Sequence, residues 1–521
     1  MESAIGSRVL FIGLDAVDSG LVARWRDQLP TLSHLEATGS RGPLKNSAPL
    51  LPGSIWPMIN TGESPDRSGL FYHPAQFRTG EAEARSIGDE DLDGTRDFWS
   101  VAAAHGRRVV AVDPIQAPLM TARESATQLV EWGTHDALAA PRSHPQSLLS
   151  EVEESFERYP ITKCDQHDRT ATGYLRLLDG LIAGAGLKAR LLTRLLQQRD
   201  WDLATAVFTE AHCAGHQLWH FADPDHPWFE PNTESRLQSS LLDVYRAVDG
   251  ALDRVLAEVG PEVTVAVIAS HGIDRFRRAP ALLPDVLERL GYGSGKQVRL
   301  RLGAALPSPL KQAARRIMGQ STLNRLQLGA SSRVLRFDGH RTKALAVANG
   351  SVGAVRLNLL GREPNGSVEP GDGADAILEA IGRAVQELRD PASGRPITRR
   401  IVRTADEFGP EHHPDLPDLL IEFRSDLGTL ETVESPDLGR FGPPVATVRS
   451  GDHRFVARWW FTGSRVRAGA LPVADILDVA PTVLGLIGID PPNWMDGVPR
   501  APMIYGSGVG GDSPTADRPR E

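Results

Sequence analysis

The chain has 521 residues, 41% apolar and 24% charged, which is the profile of a soluble globular protein with room for a large core. Its formal charge of −9 argues against a nucleic-acid binder, which normally carries a basic excess, and two cysteines, Cys164 and Cys213, exclude a disulfide framework. An acidic protein still binds an anionic substrate where metals or arginines make the pocket locally positive.

The N-terminal segment MESAIGSRVLFIGLDAV runs straight into a predicted strand, VLFIGL (9–14), with no basic n-region, no apolar stretch of signal length and no small-residue cleavage site. No apolar run approaches the ~20 residues that span a bilayer. The expectation is a soluble cytoplasmic protein. RVVAV (108–112), LATAVF (203–208) and VTVAVIA (263–269) are further short runs, apolar on both faces and bounded by turn residues, as strands covered by helices on both sides should be. The stretch 239–260, SSLLDVYRAVDGALDRVLAEVG, has apolar residues at helical spacing and a Gly stop. Strands alternating with helices predict an α/β fold around a mostly parallel sheet.

Residues 276–342 break this rhythm with a basic, helix-prone stretch that carries Arg299, Arg301, Lys311, Arg315 and Arg316. It reads as an insertion over the sheet, either drawing in an anionic substrate or forming a solvated helix face. Strand-like alternation returns at 343–366, followed by a helix at 374–390 and an amphipathic helix at 474–492 stopped by Gly and Pro. The expected organisation is residues 1–275 as the first part of the core and 276–342 as the insertion. Residues 343–500 complete the core with small cap elements, and 501–521 form a disordered tail.

Three predicted strands end in a possible metal ligand: Asp15 after the first, His212 and His216 after LATAVF, and His271 after VTVAVIA. In open α/β sheets, ligands gather at the carboxyl ends of the strands. His212 and His216 are four apart, so a helical turn puts both on one face, a spacing suited to joint metal capture. Gly215 between them costs such a helix about 1 kcal/mol. Taken singly, an Asp after a strand is an N-cap or turn residue and a His pair is a solvated face. Together they favour a metal site.

With these residues in view, the chain resembles the alkaline-phosphatase superfamily, in particular its type I phosphodiesterase/nucleotide pyrophosphatase branch. VLFIGLDA is similar to the first strand with its metal Asp, and PLLPGSIWPMINTGESPDRSGLF to the nucleophile segment. VFTEAHCAGHQLWHF, VIASHGI, SGDHRFVARWWFTG and the closing ADILDVAPTVLGLIGIDPPNWMDG follow in family order. The resemblance implies an alkaline-phosphatase-like core and two divalent metal ions, usually zinc, with manganese as the alternative. Asp15 and His271 would serve the site that activates the nucleophile, and His212, His216 and His453 the other.

Three positions depart from the metal-ligand pattern. His212 and Ser270 stand where the family has Asp, and Ser68–Gly69 where it often has His-Gly. The weakened half would draw on Asp274, Glu210 or Asp18. In addition, the usual Ser/Thr nucleophile position falls on Pro52, and Ser54, two residues later, is either the nucleophile or a helix cap. Arg356 and Asn358, on one side of a strand, are candidates to bind a phosphoryl oxygen, with surface charge as the alternative. His135–Asp136, and Cys164 with Asp165 and His167, read as polar loops or as a pocket lining and a separate metal site; His220 reads as packing. The implied activity is hydrolysis of a phosphodiester or nucleotide pyrophosphate, through a serine or by water. The alternatives are phosphoryl or sulfuryl transfer and a non-catalytic metal-binding protein. The expected partner is a small phosphate or sulfate ester, with no nucleic-acid polymer and no membrane.

Overall fold

The structure, a computed structural model, describes residues 8–72, 76–81, 83–85, 87, 97–120, 126–134, 140–161, 165, 168–276, 278–293, 337, 341–427, 430–443 and 449–505. In chain order the first strands are β1 (Val9–Leu14), β2 (Ser40–Lys45), β3 (Val109–Val112), β4 (Ala126–Val130), β5 (Arg142–His144), β6 (Leu203–Phe208) and β7 (Thr264–Ala269). They are followed by β8 (Gly272–Arg275), β9 (Ala344–Val347), β10 (Gly353–Leu357), β11 (Thr398–Arg403), β12 (Leu419–Phe423), β13 (Val433–Ser435) and β14 (Gly439–Phe441). The last are β15 (Gly451–Arg454), β16 (Ala457–Thr462), β17 (Gly469–Ala470) and β18 (Ala474–Asp475).

A strand that is apolar at every position has no face to give to water, so it belongs inside a sheet covered on both sides. β1 takes that place. The main sheet runs β17-β2-β16-β7-β1-β6-β3-β4-β5, with β18 beside β2. β1 pairs in parallel with both β6 and β7. Its side chains alternate between two cores. Leu10, Ile12 and Leu14 join Leu181 of the helix Ala171–Gln198 and Leu252 of the helix Ser240–Leu256. Val9 and Phe11 join Trp56, Phe98 and Val483 on the opposite face. Burying each such side chain contributes roughly 1.5–3 kcal/mol, so this strand is a major source of the fold's stability.

The four strands expected from apolar runs form at 9–14, 109–112, 203–208 and 264–269. Two features were not anticipated. The helix Ala171–Gln198 runs for 28 residues although Gly173, Gly180, Gly184 and Gly186 weaken its propensity. Its buried leucines, from Leu177 to Leu196, keep helical spacing and outweigh them. β16 lies antiparallel between β7 and β2, putting Trp460 in one core and Trp459 in the other.

A second, antiparallel sheet of order β11-β12-β10-β9 packs against the helix Asp372–Gln386 through Ile381, Val385 and Leu357. The helix expected over 474–492 is shorter, Val479–Leu486. Asp475 and Asp478 form a capping box that leaves the preceding residues as β18 and a single tight turn. Residues 501–505, expected as tail, form a short helix with Ala501 and Ile504 buried. The basic residues Arg299, Arg301, Lys311, Arg315 and Arg316 lie outside the described residues, as do His135, Asp136, Cys164 and His167. Among the described residues no helix is long and apolar enough to cross a membrane.

Asp97 caps the helix Phe98–Ala104 through its Oδ1, which accepts from Ser100 N at 2.7 Å. Burial pushes its carboxyl up to about 7. The folded state therefore holds this proton more tightly than the unfolded chain, and the corresponding stability is lost as pH rises from near 4 through about 7. Asp97→Asn is expected to remove roughly 3 kcal/mol of the pH-dependent stability difference between pH 5 and pH 8, read from urea unfolding at those two values. Parallel pH profiles for the two proteins would contradict this.

Candidate metal centre

Register brings the first groups together. Leu14 lies opposite Phe208 on one side and Ala269 on the other, so Asp15, Thr209 and Ser270 leave the sheet abreast. Asp15 N donates to Phe208 O at 2.9 Å and Ser270 N to Leu14 O at 3.2 Å. The chain turns sharply after Asp15, with Ala16 in the left-handed region at φ 56°. An alanine there is strained by about 1–3 kcal/mol, which the surrounding packing holds in place.

After β6 the chain enters the helix Glu210–Ala222, which carries His212 and His216 on adjacent turns. After β7 it passes His271 into β8, which pairs antiparallel with β15 and sets His453 opposite Ile273. The β8–β15 ribbon lies against the histidine helix at an unusually short distance. A Cβ on Gly451 would meet Gly215 O at 2.2 Å, and one on Gly215 would meet Ile273 Cδ1 at 2.3 Å. Gly451 is thus required by close approach of backbone to backbone, and Gly215 leaves room for the Ile273 side chain. The contact lets His216 Nδ1 reach Gly451 O at 2.7 Å. With Nδ1 donating to a carbonyl, the neutral ring presents a bare Nε2.

Three Nε2 atoms converge. His216 lies 3.2 Å from His212 and 3.1 Å from His453, and His453 lies 2.9 Å from His212. A tetrahedral zinc ion with bonds of about 2.0–2.1 Å places its nitrogens about 3.3–3.4 Å apart, so this donor set fits such an ion with a slight expansion. Among the described residues these three form the group whose ligand atoms lie within 4.8 Å of one another. Three protein nitrogens leave a fourth position for water or substrate.

Asp15 and His271 lie beside this group. The His271 ring lies 4.3 Å from that of His453. His271 Nδ1 is 2.9 Å from Ser270 Oγ and 3.7 Å from Asp15 Oδ1. Asp15 Oδ1 accepts from Trp56 Nε1 at 2.8 Å and from Ser270 Oγ at 3.3 Å, with Asp15 only 1% exposed. Ser270 thus joins Asp15 to His271 by hydrogen bonds at the position where the resemblance expects a carboxylate.

The remaining candidates sit elsewhere or have other partners. Ser54 makes no cap bond; its buried hydroxyl donates to Leu51 O at 2.6 Å. Asp18 caps the helix Ser19–Arg24 and holds Arg454 through both oxygens, at 2.5 and 2.6 Å. Glu210 accepts from Tyr159 at 2.5 Å and faces the fully buried Lys188 at 3.7 Å. Asp274 lies opposite Asp452 in the ribbon and accepts from Arg275 N. Arg356 is buried in the second sheet, bound to Glu363 and to the carbonyls of Pro414, Asp415 and Leu416. Asn358 donates to Thr342 O and Asn365 O. Both therefore brace the second sheet, the surface-charge alternative being excluded by their burial. His220 packs on Phe221 at a ring distance of 3.9 Å.

Sequence reasoning passed over Arg449. Its Nη1 lies 3.2 Å from His216 Nε2, and Asp165 grips it. An arginine four residues before a ligand was the available signal.

No family model and no curated protein matches the sequence. Many solved structures resemble it in fold, among them the following two. The crystal structure of wild-type alkaline phosphatase PafA aligns with a TM-score of 0.56 at 12% identity, covering 96% of this chain and 99% of that one. Phosphonoacetate hydrolase from Sinorhizobium meliloti 1021, in complex with phosphonoformate, aligns with a TM-score of 0.46 at 13% identity, covering 92% and 95%. The chain therefore has an alkaline-phosphatase-like α/β fold over nearly its whole length.

Gly451→Ala tests the link between helix and ribbon. Its Cβ would meet backbone, which cannot swing aside, so the ribbon must move away from His216. Zinc affinity is expected to fall about 10–100-fold, the cost typical of losing a ligand's hydrogen-bond partner. Competition titration with a chromogenic chelator measures it. Wild-type affinity in that variant would detach the ribbon from the centre.

Proposed function

We propose that the chain is a metal-dependent hydrolase of phosphoric esters acting at the three-histidine centre and, following the resemblance, that phosphodiesters or nucleotide pyrophosphates are its substrates. The observation that supports this is the meeting of three Nε2 atoms within 3.2 Å at the rim of the sheet. A divalent ion there, zinc by its preference for imidazole or manganese, would activate water and neutralise charge developing on the phosphoryl oxygens. Because the three imidazoles are neutral, they leave the cation's charge undiminished, where a carboxylate at position 212 would reduce it.

His216, fixed by Gly451 O, and His453, carried by the ribbon, set the direction of the open position. Asp15 and His271 offer one carboxylate and one imidazole to a second ion. With Ser270 in place of a carboxylate, that pair is one negative charge short, so it fills after the first and more weakly. We assign the attack to water, because the Ser54 hydroxyl is turned to Leu51 O and Pro52 has no nucleophilic atom.

A second reading, a metal-binding protein without turnover, is favoured by that same nucleophile segment. Zinc-loaded protein that hydrolyses neither mono- nor bis(p-nitrophenyl) phosphate would select it.

Under the hydrolase reading, His212→Ala lowers kcat/KM for bis(p-nitrophenyl) phosphate by at least about a hundredfold, more than loss of a ligand's hydrogen-bond partner costs. Undiminished activity in this variant would end the assignment. Ser54→Ala is expected to keep activity within about threefold, because its hydroxyl takes no part in the chemistry. A phosphorylated Ser54 trapped at acid pH, with loss of turnover in the alanine variant, would instead restore the serine as nucleophile.

A further inference from the structure

We propose that Arg449 is the anion-binding residue of the three-histidine centre, donating from Nη1 to a non-bridging oxygen of a tetrahedral oxyanion such as a phosphoryl, phosphonyl or sulfuryl group. This rests on the metal-binding reading of that centre.

The arrangement is directional. Asp165 takes the Nε edge of the guanidinium at 3.0 and 3.1 Å and Nη2 at 2.8 Å. Such a paired grip fixes the plane of the group. It leaves Nη1 aimed at the centre, 3.2 Å from His216 Nε2. The histidine helix supplies the support as well as the ligands, since Gln217 Nε2, next to His216, donates to Asp165 Oδ1 at 2.5 Å. The side chains of Arg449 and Asp165 are 28% and 32% exposed, so the pair lies on a side of the centre that solvent reaches. The other arginine beside a ligand, Arg454, is bound by Nε and Nη2 to Asp18, the cap of the helix Ser19–Arg24.

Charge then decides what this place accepts. Once an ion takes the His216 lone pair, the Arg449 N–H no longer has that acceptor. Two positive groups then stand a few ångströms apart and repel. An oxyanion set between them receives a hydrogen bond from one and a contact from the other, relieving the repulsion. Binding of ion and anion is therefore coupled, each strengthening the other by the same factor.

The test uses full-length protein, zinc and inorganic phosphate, followed by calorimetry, with sulfate as a second arm. Phosphate is expected to tighten zinc binding in the wild type. In Arg449→Met, phosphate affinity of the zinc-loaded protein falls about ten- to a hundredfold, the value of one charged hydrogen bond. Zinc affinity without anion is unchanged or higher in this variant, a result that a merely structural arginine would not give. Arg449→Lys retains part of the phosphate affinity, and Asp165→Asn loses an intermediate amount. Zinc bound normally with unchanged phosphate affinity in Arg449→Met would overturn the proposal alone. Loss of zinc from that variant would also overturn it, making Arg449 a support for His216. Failure of the wild type to bind zinc would overturn the metal-centre reading itself, and this proposal with it.

Discussion

The hydrogen bond from His216 Nδ1 to Gly451 O holds the site together, because it joins two parts of the chain separated by more than two hundred residues. It sets the tautomer of one imidazole and the position of the ribbon that carries another. It also requires a helix and a strand to touch at backbone distance, which the missing side chain at Gly451 allows. The parallel register of β1 with β6 and β7 does the rest, delivering Asp15 and His271 to the same rim.

Around this centre the acidic residues already have partners. Asp18 holds Arg454, Asp165 holds Arg449, and Glu210 faces Lys188 in the dry interior beneath the histidine helix. Lys188 also donates to Gly133 O and Val207 O, which satisfies an ammonium with no access to water. Carboxylates tied to arginine and lysine are poor substitutes for missing metal ligands. The chemistry proposed here therefore depends on the neutral imidazoles of the three-histidine group, with Arg449 as the cationic side chain proposed to meet the anion. The nucleophile segment lends support of another kind, since its Trp56 orients Asp15 by a 2.8 Å bond while Ser54 faces into the fold.

The four central strands were legible because burial on both faces demands unbroken apolar runs. His212 and His216 were legible because a helical repeat puts residues four apart on one face. His453 was reached only through the resemblance, since no local pattern reports a strand pairing between Arg454 and Gly272. Arg449 and Asp165 were missed as a pair for the same reason, being 284 positions apart. The helix Ala171–Gln198 was hidden by its glycines and by a buried lysine inside its apolar stripe. Arg356 lies on a strand and Asn358 just beyond its end, but that strand belongs to the second sheet, a fact fixed by long-range topology.

Anomalous diffraction at the zinc edge, from crystals grown with one equivalent of the metal, bears most directly on this account. It predicts a peak within bonding distance of the Nε2 atoms of His212, His216 and His453, with His216 Nδ1 still on Gly451 O. A crystal with its only peak at surface carboxylates, and those three imidazoles unligated, would contradict it.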